Sequence, residues 1–176
     1  MSHDLEGMDD TRQWIEVLYR EAGPQLLFYL MQRLGDNATA EDILQDTFAA
    51  ALRHPERVRS ASSARAYLFG IARNLAATAS RRVIQQVAPL SLTLAADESP
   101  RDPRLELLRD AIERLKPEFK EALEMRLQHE LSYEEMADVL GVPIGTVRSR
   151  LHYAVNQLRR LLRQAEPISM VRKEEV

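Results

Sequence analysis

The stretch from Leu131 to Leu151 constrains this chain more than any other, because it spells two helices and the tight turn between them. Ser132 followed three residues later by Glu135 is a capping box, in which hydroxyl and carboxylate each satisfy a backbone N–H left open at a helix start. Tyr133, Met136, Ala137 and Leu140 fall at i, i+3, i+4 and i+7 and make one apolar face. Gly141 stands where a helix end needs a left-handed residue, and Pro143 keeps the first helix from running on. A second helix is predicted from Ile144 to about Gln164, with Val147, Leu151, Ala154, Leu158 and Leu161 along one side. Its other side carries Arg148, Ser149, His152, Tyr153, Asn156, Arg159 and Arg160 and no carboxylate. A solvated helix in a bundle would explain a lone charged helix. Helix, glycine turn, second helix and acid-free outer face together point instead to a DNA-binding helix-turn-helix, whose outer face suits phosphates and base edges.

A DNA binder should be basic, yet the 176 residues carry a formal net charge of −3. Distribution resolves the conflict. From Met1 to Ala50 the acids Asp4, Glu6, Asp9, Asp10, Glu16, Glu21, Asp36, Glu41, Asp42 and Asp46 face only Arg12, Arg20 and Arg33. From Arg53 to Arg82 the balance reverses, with Arg53, Arg57, Arg59, Arg65, Arg73, Arg81 and Arg82 against Glu56. Sorted charge implies two kinds of partner, one for each sign. The absence of cysteine excludes a disulfide scaffold, a thiolate nucleophile and a cysteine-based metal site. No apolar run has the length of a membrane span, and the acidic start is unlike a signal peptide, so a cytoplasmic protein without membrane insertion is expected.

Helix formers dominate between the turns, so the fold class expected is all-α: two small helical domains joined by a flexible linker. A first helix is predicted from Thr11 to Ala22, broken by Gly23-Pro24, and a second from Pro24 to Leu34. Thr39 is placed to cap a third helix from Ala40 to about Arg53, with Ile43, Leu44, Phe48, Ala51 and Leu52 inward and Glu41, Asp42, Gln45 and Asp46 outward. Solvation alone would account for that acidic face. Arg57 to Ser63 reads as a polar loop, and a fourth helix follows from Ala64 to Arg82. In it Tyr67, Leu68, Ile71, Ala72, Leu75 and Ala79 are expected inside, and Arg65, Phe69, Arg73 and Asn74 outside. Aromatic rings among arginines suit single-stranded nucleic acid, although for two isolated aromatics such as Tyr67 and Phe69 the core is the default place. Residues 83–103, with three prolines and no helical period, read as a linker. Such a segment of about 20 residues reaches roughly 70 Å extended, about two turns of duplex. Helices from Arg104 to Leu115 and from Pro117 to about Gln128 complete the platform for the helix-turn-helix.

On two signatures in order, the chain resembles a bacterial sigma factor of the extracytoplasmic-function (ECF) subfamily, in the sigma-70 family. The first runs Ala40-Glu41-Asp42-Ile43-Leu44-Gln45-Asp46-Thr47-Phe48 and then Ala64-Arg65-Ala66-Tyr67-Leu68-Phe69-Gly70-Ile71-Ala72-Arg73-Asn74-Leu75; the second is Leu131 to Leu151. The resemblance implies region 2 at 8–82, the linker at 83–103, region 4 at 104–165 and a tail at 166–176. Region 2 would bind core RNA polymerase and open the promoter −10 element, and region 4 would read the −35 element. Glu41, Asp42, Gln45 and Asp46 match the polymerase-binding surface, which docks on the clamp coiled coil of the largest subunit. The −10 surface matches Arg57, Arg59, Ser62, Ser63, Tyr67, Arg73 and Asn74. The −35 surface matches Arg148, Ser149, His152 and Tyr153, with Thr146 and Arg150 as backbone-positioning candidates. Further implied partners are the flap of the second-largest subunit, promoter DNA and an anti-sigma factor. Tyr153 stands where the family usually has a basic residue, and Thr78 where it often has an acid.

The function expected is therefore that of a promoter-specificity subunit with no catalysis, cofactor or metal of its own. A stand-alone helix-turn-helix regulator is the alternative; it would need a dimerisation seam, which the heptad pattern lacks, and a palindromic site. An enzyme fares worst, because His3, His54, His129 and His152 are scattered without ligand spacing and no glycine-rich phosphate loop occurs.

Overall fold

The computed structural model describes residues 2–86 and 102–165, and among these the regular structure is entirely helical. The order is α1 (Ser2–Leu34), α2 (Asn37–Arg53), α3 (Pro55–Ser60), α4 (Ala64–Gln86), α5 (Pro103–Glu113), α6 (Pro117–Leu127), α7 (Tyr133–Leu140) and α8 (Ile144–Ala165). Backbone contacts divide the chain into two compact units. One is built on α1–α4, with Glu134–Gly141 (most of α7 and the glycine after it) counted to it, and the other on α5, α6 and α8. Most of the predicted linker, residues 87–101, and the tail, residues 166–176, lie outside the described residues. No described helix is long and apolar enough to cross a membrane.

In the first unit α1, α2 and α4 pack mutually, and α3 closes against α2 and α4. Leu26 and Leu30 of α1, Leu44 and Phe48 of α2, Val58 of α3, and Leu68 and Phe69 of α4 are all buried. Four features differ from the expectation. The helices predicted on either side of Gly23-Pro24 are one helix, with Pro24 inside it. Proline removes the hydrogen bond to the carbonyl four residues back, but Arg20 and Pro24 both lie on the exposed side, where water can satisfy that carbonyl. The apolar face carrying Ile15, Ala22, Leu26, Tyr29 and Leu30 is thus unbroken. Second, α2 starts earlier than predicted, because Asp36 and not Thr39 is its cap. The Asp36 carboxylate accepts the Thr39 N–H at 2.9 Å and the Thr39 hydroxyl at 2.5 Å. These bonds, the hydroxyl's first, hold the Asp36 carboxyl below its ordinary value of 3.8.

Third, part of the predicted Arg57–Ser63 loop is the short helix α3. Pro55 presets the backbone at its first position, Glu56 favours its N-terminal dipole, and Val58, 1% exposed, anchors it. Phe69 was also expected outside and is fully buried. The run of apolar residues in α4 allows more than one inward register. The edge-on contact of Phe69 with Tyr29 of α1, 5.6 Å between ring centres, goes with the one adopted.

The second unit packs α8 against α5 and α6. Its centre is Leu115, Leu123 and Ala154, flanked by Ile112, Phe119 and Leu158. Asp102 caps α5 by accepting the Arg104 N–H at 2.9 Å, and Pro103 and Pro117 open α5 and α6. Lys120 of α6 meets Glu113 of α5 at 2.6 Å across their joint. Gly141 has φ +65°, the left-handed turn expected between α7 and α8.

Candidate polymerase and nucleic-acid surfaces

Helix α2 separates its residues by face. Ala40, Ile43, Leu44, Thr47, Phe48 and Ala51 are buried, and the Thr47 hydroxyl donates to the Ile43 carbonyl at 2.7 Å, so its one polar group inside is satisfied. Glu41, Asp42, Gln45 and Asp46 are all exposed and share the opposite side. Among the described residues none of the three carboxylates is ion-paired, so the stripe faces water with its charge uncompensated. Such a surface can attract a basic partner over several ångströms.

The candidate −10 residues fall into two groups. Ser62, Ser63, Tyr67 and Asn74 line one concavity along α4, over Gly70, which keeps its floor low. The Ser63 hydroxyl accepts the Ala66 N–H at 3.2 Å and so caps α4. Tyr67 and Asn74, two turns apart, lie on the same side of the helix. Arg57 is exposed on α3, and Arg73 is half-buried on α4; neither lines the concavity. Arg59 is drawn the other way. Its guanidinium stacks 4.8 Å from the centre of the Trp14 indole and lies 3.9 Å from the Asp10 carboxylate, which ties α3 to α1.

On α8 the buried residues Val147, Leu151, Ala154 and Leu161 leave Arg148, Ser149, His152 and Tyr153 exposed, with Thr146 and Arg150 half-buried. No Asp or Glu occurs anywhere in Ile144–Ala165. Each exposed group is held by a neighbour. Ser149 donates its hydroxyl proton to the Gly145 carbonyl at 2.9 Å, which leaves its lone pairs outward. His152 Nε2 lies 2.8 Å from Asn156 Nδ2. Tyr153 stacks on Phe119 of α6, ring centres 5.9 Å apart and planes 21° apart, and stays 58% exposed. The Arg148 guanidinium lies 6.0 Å from the centre of the Tyr133 ring. Asn156, Arg159, Arg160, Arg163 and Gln164 continue the polar side to the end of the helix. Sequence reasoning missed the aromatic supports Trp14, Phe119 and Tyr133. Each is remote in sequence from the residue it braces or stands outside that residue's helix, so helical period carries no signal for it.

Comparison with known proteins is consistent across sequence and structure. Residues 18–83 match Sigma-70 region 2, and residues 105–158 match Sigma-70, region 4. The chain is 35% identical over 159 residues to the ECF RNA polymerase sigma factor SigL of Mycobacterium tuberculosis, covering 85% of this chain and 89% of that one. It is also 35% identical over 159 residues to the RNA polymerase sigma factor YlaC of Bacillus subtilis, covering 85% and 92%. Among solved structures, the sigma factor RpoE of Bartonella quintana, in complex with the anti-sigma factor NepR, superposes with a TM-score of 0.66 at 25% identity. That match covers 86% of this chain and 98% of the other.

Proposed function

The chain belongs to the ECF sigma factors of the sigma-70 family and is a promoter-specificity subunit of RNA polymerase; from that premise we propose how its surfaces divide the work. The α2 stripe of Glu41, Asp42, Gln45 and Asp46 docks on the basic clamp coiled coil of the largest polymerase subunit, and region 4 seats on the flap of the second-largest. The concavity of Ser62, Ser63, Tyr67 and Asn74, with Arg57 and Arg73 beside it, captures bases of the opened −10 strand, while Arg59 secures α3. The outer side of α8, through Arg148, Ser149, His152 and Tyr153 with Thr146 and Arg150 at the backbone, reads the −35 element. The protein works in the cytoplasm, where the polymerase is, and an anti-sigma factor holds it in reserve.

One observation carries this reading: the α2 carboxylates lie outside without counter-ions among the described residues, while the outer side of α8 bears no carboxylate. Opening duplex costs about 1.4 kcal/mol of stacking per base-pair step. A small free protein supplies that poorly; one held on polymerase can trap each base as it unstacks, through aromatic stacking and phosphate neutralisation. The chemistry of RNA synthesis stays with the polymerase. A stand-alone regulator is not favoured, because it leaves the region 2 half without a task. Reconstitution with core polymerase, followed by genome-wide selection of transcribed start sites, tests the reading. Start sites sharing paired −10 and −35 sequences are expected only with both components present. Specific binding to a palindrome without polymerase would overturn it.

A further inference from the structure

We propose that Tyr133 is a positioning residue for base reading: its ring holds the Arg148 guanidinium in a preset orientation, and Arg126 in turn holds the ring. The proposal rests on α8 being the −35 reading helix. Arginine reads a base edge through two parallel N–H bonds, so the plane of the guanidinium matters as much as its charge. A long side chain free in water must give up its rotamers to make such a contact, and a support that removes them beforehand raises discrimination.

The Tyr133 ring centre lies 6.0 Å from Arg148 Cζ and 5.6 Å from Arg126 Cζ, both within reach of the attraction between a cation and a ring face. Arg126 is itself fixed, because its Nη1 donates to the Leu131 carbonyl at 3.0 Å. Leu131 is fully buried, and its N–H donates back to the Met125 carbonyl at 3.2 Å. Glu130, with φ +52°, turns the chain in the left-handed region just before it. The connection from α6 to α7 is therefore closed onto α6, and Tyr133, the first residue after it in α7, inherits that rigidity. The ring is 37% exposed, so it sits at the surface beside α8 and not in the core. Two guanidiniums thus lie within about 6 Å of the centre of one exposed ring.

The test uses holoenzyme and promoter duplexes randomised through the −35 element. Arg148→Ala first identifies the base pair this arginine reads. Tyr133→Leu is expected to lose about 2–5-fold of the preference at that same pair, the size of one exposed cation–ring contact, with other positions and the salt dependence unchanged. Tyr133→Phe, which keeps the ring, is expected to retain the preference, and Arg126→Gln to lose part of it. Combined with Arg148→Ala, Tyr133→Leu should add nothing at that pair. If Tyr133→Phe loses as much as Tyr133→Leu, the hydroxyl and not the ring matters, and the proposal falls. A uniform loss over all sequences with Tyr133→Leu overturns it too, since that marks a structural role. If Arg148→Ala alters no preference, the assignment of α8 fails along with the proposal, an outcome distinct from failure of the tyrosine variants alone.

Discussion

Helices α2 and α8 share a design and differ in how their working faces are held. Both bury one apolar side and turn a charged side outward, acidic on α2 and acid-free on α8. On α2 the outward carboxylates are exposed and without ion pairs among the described residues. On α8 four outward side chains each lean on a neighbour: Ser149 on a backbone carbonyl, His152 on Asn156, Tyr153 on Phe119 and Arg148 on Tyr133. The difference matches the tasks proposed for them. Attraction between two charged surfaces tolerates loose side chains, because the field acts over about a Debye length of 8–10 Å. Discrimination among base pairs does not, because it depends on the direction of individual N–H bonds.

The largest effect expected on this contrast comes from reversing the unbraced face. Asp42→Arg with Asp46→Arg should weaken binding to core polymerase at least 100-fold at moderate salt, since like charges facing each other cost several kcal/mol. Titration of labelled protein into core enzyme measures it, with circular dichroism confirming that the exposed changes leave α2 folded. Binding that survives reversal would remove the charge argument. The braced face gives a smaller, more selective loss. Arg148→Ala should cost about 1–3 kcal/mol at one −35 base pair and leave polymerase affinity intact, as seen in transcription from promoters altered at that pair.

The smallest effect separates the face of α2 from its end. Asp36 has a folded pKa below its ordinary value of 3.8, so its contribution to stability is complete above that value and is lost as pH falls through the folded one. Thermal unfolding of the protein and of Asp36→Ala should therefore differ at neutral pH and converge on acidification. A gap that persists at low pH would mean that the cap works through something other than the carboxylate.

Much of the molecule was legible in the sequence. The inward and outward residues of α2 and α8 followed from helical period except at Leu52, expected inward but 45% exposed at the edge of the apolar side, and the left-handed Gly141 followed from its place between an apolar helix and Pro143. What escaped depended on the third dimension. Gly23-Pro24 looks like a stop, but a proline whose lost hydrogen bond faces water can be carried within a helix that has a continuous apolar side. Phe69 looked exposed because two registers of α4 are equally apolar, and nothing local reveals that Tyr29 lies opposite. The candidate site residues could be chosen by type and spacing. Their supports were not, because a ring serves Arg148 or Arg59 only through the fold that brings them together.

The hold of Trp14 on Arg59 has a genetic consequence. Six residues of helix cannot persist alone, so α3 depends on Val58 within and on this latch without. Changes at Trp14, outside the proposed −10 surface, should then mimic promoter mutants, and second-site revertants of defects around Ala61–Ser63 should appear at Asp10, Thr11 or Trp14 of α1.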